Sequence, residues 1–314
     1  MVRTRLKFNN RNEWLNARKD GIGASEVASV VGLNPWETPY QLWRKKRGID
    51  KPQEENFFMK AGHYLEDAVA RFYQDESGRE IINSSAEDFM FINPDKPFLR
   101  VSPDRTFWLN GMARNDDNKG ILECKTTQRS IDPDDLPKHW FCQVQMNLGV
   151  AGYEQGSLAW LCSGREFGYK DITFAPDFYA WLVEEVERFW TNNVVGGKEP
   201  DAISVQDILT KYNRHTDGKQ IEVGDDIFEA YKDLKDLKKQ IAVMEERKEA
   251  LEGRLKMAFE DAEAITYGGD TLATWKAPAK PTMKLDTALL KEKYPNIVEE
   301  FTLPVFGSRR FLLK

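Results

Sequence analysis

Cysteine and histidine are scarce, with three of each among 314 residues. Cys124, Cys142 and Cys162 lie far apart and form no C-x-x-C pair. That excludes a zinc ribbon, a four-cysteine iron–sulfur cluster and a disulfide framework, and leaves three reduced core residues. His63, His139 and His215 are too scattered for a histidine-rich metal centre and read as structural or exposed side chains. No apolar run approaches the roughly 18 residues of a membrane span. The opening "MVRTRLKFNNRNEW" has basic residues but neither an apolar segment nor a small-residue cleavage site, so no secretory signal is expected and the cytoplasm is the default compartment. Low-complexity tracts are missing too. At 41% hydrophobic and 31% charged residues, the chain is expected to be globular, as one large domain or two smaller ones.

A net charge of −6 does not by itself mark a nucleic-acid binder. The charge is nonetheless uneven. Residues 1–48 hold ten Lys or Arg against four acids, leaving about −12 for the rest. Part of that surplus is "RKKRG", a run that ordinarily ends a helix in solvent. Beside it, Trp36, Tyr40 and Trp43 fit either core packing or stacking on bases, with the core favoured.

Punctuation along the chain predicts an α/β order. "GASEVASVVG" reads as a short helix opened near Ser25 and closed by Gly32. "TPYQLWRKKRG" combines Thr38 as N-cap, Pro39 at the first position, Gln41 completing a capping box and Gly48 as the stop. Phe58, Leu65, Val69 and Phe72 recur at helical spacing over 56–77, with Glu66 bordering the stripe and Gly78 ending it. Strand-like stretches follow near 80–92, 98–109 and 120–127, the last two joined by the turn-rich "NGMARNDDNKG". "PKHWFCQVQMNLGVAG" is helical, two strands lie between 153 and 174, and Phe178, Leu182, Val186 and Phe189 mark another helix. From Ile227 to Ala262 apolar residues repeat every seven positions, broken at Lys248. One helix over about 225–264 and a helical hairpin fit that pattern equally. A hairpin at Gly268 and Gly269 and a terminal β segment complete the expectation.

"GILECKTT", residues 120–127, raises the functional question. Side chains alternate across a strand, so Glu123 and Lys125 share one face while Leu122 and Cys124 share the other. Alone, such a pair is an ordinary edge-strand ion pair. With Glu66 and Asp104 of "VSPDRTFW", however, it makes a set of carboxylates suited to Mg²⁺, beside an ammonium that could orient water or stabilise charge developing on a phosphate. D-x₁₈-E-x-K on neighbouring strands describes metal-assisted phosphodiester hydrolysis.

Five segments, "ARKDGIGASEV", "AGHYLEDAVARFY", "VSPDRTFW", "GILECKTT" and "HWFCQVQMNLGV", occur in an order that resembles the phage-type recombination exonucleases, the lambda exonuclease and YqaJ-like viral recombinase family. The resemblance covers about residues 10–200. It implies a restriction-endonuclease-like core of the PD-(D/E)xK kind, a mixed central sheet flanked by helices, within residues 1–205, followed by a C-terminal extension over 206–314. It further implies that Asp104, Glu123 and the Cys124 backbone carbonyl bind metal with Glu66 completing a second position, that Lys125 is the catalytic lysine, and that Gln143 lies close to it and to the attacking water. Arg18, Ser25 and Ser102 match a pocket for a 5′-phosphate, for which a guanidinium fork and hydroxyl donors are suited. The activity so implied is Mg²⁺-dependent 5′-to-3′ digestion of one strand of linear duplex DNA, leaving a 3′ overhang. Mn²⁺ is a possible substitute, with two ions per site. A homo-trimer around DNA, a single-strand annealing protein as partner, no membrane, and a phage or prophage protein in the bacterial cytoplasm complete the picture. A non-catalytic end-binding adaptor and a restriction-type endonuclease are the alternatives. The heptad tail carries none of the five motifs and reads first as a structural or partner-binding element.

Overall fold

Residues Lys119–Thr127 run unbroken by glycine or proline punctuation after Gly120, and they form the longest strand of a computed structural model that describes residues 4–51, 56–82, 89–304 and 307–314. The described chain divides into two compact units, one ending at Lys211 and one beginning at Tyr212.

In the first unit the strands are β1 (Thr4–Lys7), β2 (Ile22–Gly23), β3 (Ile81–Ile82), β4 (Phe89–Ile92), β5 (Leu99–Val101), β6 (Arg105–Trp108), β7 (Lys119–Thr127), β8 (Gln155–Cys162) and β9 (Glu166–Thr173). The helices are α1 (Arg11–Lys19), α2 (Ala24–Val30), α3 (Pro39–Lys46), α4 (Phe57–Ser77), α5 (Lys138–Ala151), α6 (Pro176–Arg188), continued by a π-helical turn over Phe189–Val195, and α7 (Val205–Lys211). Five strands make a mixed sheet in the order β3-β6-β7-β8-β9. Within it β6 pairs antiparallel with β7, whereas β7 and β8 are parallel and joined by the crossover helix α5. A second mixed sheet has the order β1-β4-β5-β2. The architecture is the α/β class expected, a mixed sheet flanked by helices.

Alternation on β7 divides the interior. Ile121 belongs to the larger core with α2, α5 and α6, while Leu122 and Cys124 pack in a smaller one with Val69, Ala70 and Tyr73 of α4. The sheet is therefore covered on both faces, and the charged pair of β7 is directed toward α5.

Local signals account for most boundaries. Thr38 caps α3 with Pro39 in the first turn and Gln41 closing the box, and Gly32, Gly48 and Gly78 all adopt left-handed φ near +65° where helices stop. Several expectations are corrected. Gly23, not Ser25, is the N-cap of α2, leaving Ser25 free to bond elsewhere. The strand expected over 98–109 splits at Ser102–Pro103–Asp104, since proline cannot donate to a ladder, so Asp104 precedes β6 rather than lying within a strand. Of the predicted α4 stripe, Val69 is buried but Phe58, Leu65 and Phe72 are exposed. The stretch near 80–92 yields two short strands, with 83–88 outside the described residues.

The second unit contains α8 (Asp225–Phe259), the hairpin β10 (Ala264–Tyr267) and β11 (Asp270–Thr274), and the short helices α9 (Thr287–Lys293) and α10 (Pro295–Glu300). The heptad segment is one continuous helix. It stops before Glu260, whose φ of +45° is incompatible with a further turn. The expected hairpin forms about Gly268 and Gly269. Among the described residues no strand forms after β11, and the Lys314 carbonyl instead accepts from Tyr231 and Lys235 of α8.

Candidate functional site

Glu123 is the most deeply buried acid of the central sheet, 1% exposed. Its carboxylate accepts from Lys125 Nζ at 2.7 Å, from Asn147 Nδ2 at 3.0 Å and from Gln143 Nε2. Lys125 Nζ also donates to Gln143 Oε1 at 3.0 Å. Gln143 and Asn147 stand four residues apart on α5, so one face of the crossover helix delivers both amides to the strand. From the corner before β6, Asp104 Oδ2 accepts the Cys124 backbone N–H at 2.7 Å. Glu66 on α4 is turned toward Arg105, whose guanidinium lies 2.5 Å from Glu66 Oε1 and also pairs with Asp67.

The three acids feel one another. Burial first, then the negative charge of Asp104, pushes Glu123 up to about 8 and Glu66 up to about 7. Burial works to lower Lys125, but Glu123 and Asp104 outweigh it and keep the ammonium charged. Among the described residues no three acid, histidine or cysteine side chains stand close enough to hold a metal as they are now oriented. The donor chemistry nevertheless fits a hard cation. Besides burial, the charge of Asp104 raises both Glu123 and Glu66, as expected of carboxyls gathered in one place, and oxygen ligands are what Mg²⁺ takes.

A second cluster adjoins the first. Arg18 Nη2 donates to Ser25 Oγ at 3.2 Å, the Arg18 guanidinium lies 4.8 Å from the Trp14 ring centroid, and Trp14 Nε1 donates to Ser102 Oγ at 3.1 Å. These side chains, together with Arg100 and Gln143, line a cavity of about 40 Å³. Arg18, Ser25 and Ser102, distant in sequence, therefore come together, and Gln143 is common to both clusters.

Beneath Arg18 lies an ion pair that the sequence reading missed. Glu26 meets Lys46 at 2.7 Å with both side chains nearly inaccessible, and Lys46 also donates to the carbonyls of Arg18 and Gly21. Burial alone would raise Glu26, yet Lys46, Arg18 and Lys45 together hold it at about 2. For Lys46, burial dominates and lowers it. Within "RKKR" Lys46 alone is withdrawn from solvent, while Lys45 and Arg47 stay exposed at the helix end as expected. Arg44 pairs with Asp50, Lys45 and Lys46 with Glu26, and Arg47 donates to a backbone carbonyl. Tyr40 and Trp43 are core residues, as favoured, but Trp36 is 76% exposed, edge-on to His139. Asn147 and Arg105 were also missed. Asn147 was detectable as the residue one turn beyond Gln143, and Arg105 as the neighbour of Asp104.

A mixed sheet with a buried Glu-x-Lys strand, an aspartate at the adjoining corner and a cationic pocket beside it defines an α/β protein with an acid–lysine site. The sequence profile of the YqaJ-like viral recombinase domain matches residues 13–154, which contain all five segments. An uncharacterized protein, YqaJ of Bacillus subtilis (strain 168), is 30% identical over 305 residues, spanning 92% of this chain and 90% of its own. The chain belongs to the YqaJ-like viral recombinase family. Its structure is similar to an alkaline exonuclease, LHK-Exo, from Laribacter hongkongensis (17% identity, TM-score 0.46, 58% of this chain and 91% of that one). It is also similar to a phage-related exonuclease from Haemophilus somnus 129PT (11%, TM-score 0.39, 57% and 96%). No helix among the described residues is long and apolar enough to cross a membrane.

Proposed function

We propose that this chain is a Mg²⁺-dependent exonuclease that enters linear duplex DNA at a 5′-phosphorylated end and digests that strand in the 5′-to-3′ direction, leaving a 3′ overhang for recombination. The observation that carries the reading is the sharing of Gln143. Its amide touches both Glu123 and Lys125 and also lines the cavity of Arg18, Ser25 and Ser102. A terminal phosphate held in that cavity sits beside the acid–lysine pair, which favours cleavage near an end over cleavage within a chain.

Glu66, Asp104, Glu123 and the Cys124 carbonyl would hold the cation, with Mn²⁺ able to replace Mg²⁺ and two ions per site. When bound, such an ion supplies Lewis acidity to the phosphoryl group and acidifies water. Lys125, kept cationic, stabilises charge developing on the scissile phosphate, and Gln143 fixes the ammonium in place. Arg18, Ser25 and Ser102 grip the terminal phosphate, with Arg100 adding positive charge. DNA ends, a single-strand annealing protein and a homo-trimer complete the proposal.

The test is duplex DNA labelled at either 5′ or 3′ end, with and without Mg²⁺, beside closed circular DNA. Release of the 5′ label first, only with Mg²⁺ and only from linear DNA, supports the reading. Cutting of closed circles would make the chain an endonuclease, and end binding without hydrolysis would make it an adaptor.

A further inference from the structure

Within the second unit most of the apolar stripe of α8 is uncovered, Leu234 alone of its residues being half-buried. The seven-residue series from Ile227 to Leu255, interleaved with that from Ala230 to Ala258, runs along one side of a helix roughly 52 Å long. Leu237, Ile241, Met244 and Leu251 keep between 47% and 63% of their surface exposed. Apolar exposure over that length marks an interaction face.

We propose that this stripe binds the same stripe of a second copy of the chain, the two α8 helices lying antiparallel as a two-stranded coiled coil. Side-chain sizes and charges select both occupant and direction. With the two-fold axis between residues 242 and 243, Ile227 meets Ala258 of the partner copy and Leu255 meets Ala230, so large faces small at both ends. In the middle Leu234 meets Leu251 and Ile241 meets Met244. Lys248, the break in the heptads, meets Leu237, over which its aliphatic stem can lie while the ammonium reaches solvent. Flanking the seam, Asp226 then faces Arg254, Asp233 faces Arg247, and Lys238 faces Glu252, and the single like-charged contact is Glu245 with itself at the axis.

A parallel pair fits less well. It sets Lys248 against Lys248 within the seam and alanine against alanine at its ends, and it leaves Asp226 and Arg254 facing Tyr231 and Phe259. Four of the charges concerned are available, whereas Glu252 already has partners on its own helix. The ion pairs within α8 are Lys232–Glu229, Lys239–Asp236 and those of Glu252 with Lys248 and Lys256. Asp226, Asp233, Arg247 and Arg254 form none among the described residues. Apolar burial drives the association, while these flanking charges set its direction.

The experiment uses the full chain. Light scattering of Ile241→Glu should give half the mass of the wild type, the proposed homo-trimer in place of two trimers joined through their α8 helices. Arg254→Glu should weaken self-association roughly tenfold through two reversed contacts, and adding Asp226→Arg in the same chain should restore it. Leu237→Cys and Lys248→Cys, prepared as separate chains and mixed under mild oxidation, should cross-link to each other and not to themselves. An Ile241→Glu mass equal to the wild type overturns the interface. Self-cross-linking of Leu237→Cys, or no rescue by the double charge reversal, overturns the antiparallel arrangement.

Discussion

Gln143 Oε1 accepts a hydrogen bond from Lys125 Nζ at 3.0 Å, while the other end of the same amide donates to Glu123. One side chain on the crossover helix thereby sets the spacing of an acid and an amine two residues apart on a strand, and also faces the Arg18 cavity. Gln143→Ala should therefore lower kcat and reduce discrimination between 5′-phosphate and 5′-hydroxyl ends together. Lys125→Ala should lower kcat by roughly 10²–10³-fold with little change in DNA affinity. Single-turnover rates on both end types separate the two effects, and an affinity loss without a rate loss for Lys125→Ala reassigns it to phosphate binding.

Asp104 stands at a corner created by Pro103, with one carboxylate oxygen tied to the Cys124 N–H. Asp104→Ala should reduce hydrolysis to background and retain end binding, measured by gel shift beside a cleavage assay. Substantial remaining Mg²⁺-dependent activity removes Asp104 from the metal set.

Arg18→Ala should erase most of the preference for phosphorylated 5′ ends, because the guanidinium is the charged donor that Ser25 and the Trp14 ring hold over the cavity. The ratio of kcat/KM on the two end types is the readout. An unchanged ratio places phosphate recognition elsewhere.

Burial and mutual repulsion hold Glu123 at about 8 and Glu66 at about 7, above their ordinary value of 4.5. Protons therefore compete with a cation for these oxygens below about pH 8, and the half-saturating Mg²⁺ concentration should fall as pH rises from 6 to 9. The stability sign follows from the same shift. A carboxyl that binds its proton more tightly when folded stabilises the fold at acid pH, and that contribution is lost as pH rises from 4.5 through 7 and 8. Mg²⁺ should accordingly raise Tm more at pH 8.5 than at pH 6 in differential scanning calorimetry. An equal increment at both pH values argues against these acids as the ligands.

The Glu26–Lys46 pair has the opposite linkage. Glu26 is held at about 2, so its contribution is present above pH 4.5 and disappears as pH falls toward 2. Burial depresses Lys46 and offsets part of that gain. Removing one partner strands the other, so Lys46→Met should cost roughly 3–5 kcal/mol in urea unfolding. Glu26→Gln combined with Lys46→Met should cost less than Lys46→Met alone, and a larger loss in the double variant refutes the pairing.

Helix ends were legible in the sequence because capping is local. Thr38, Pro39, Gln41 and the glycines that follow α2, α3 and α4 act within one turn, and the structure realises each of them. The facing of Glu123 and Lys125 was legible for a similar reason, since strand alternation needs no knowledge of the neighbouring strands. The gathering of Arg18, Ser25 and Ser102 was readable only through family resemblance, since their spacing carries no period.

Burial of Lys46 within "RKKR" was not legible, since nothing in four consecutive cations says that Glu26 lies beneath one of them. The α4 stripe shows the converse, for its helical spacing is correct while Phe58 and Phe72 remain exposed. The sequence by itself determined where helices stop, which residues share a strand face and that the charged residues of β7 meet one space. Only the tertiary structure decided which charges are desolvated and which amide links the two clusters. Solvation and electrostatic coupling depend on neighbours brought together through space, and the chain order of those neighbours has no local signature.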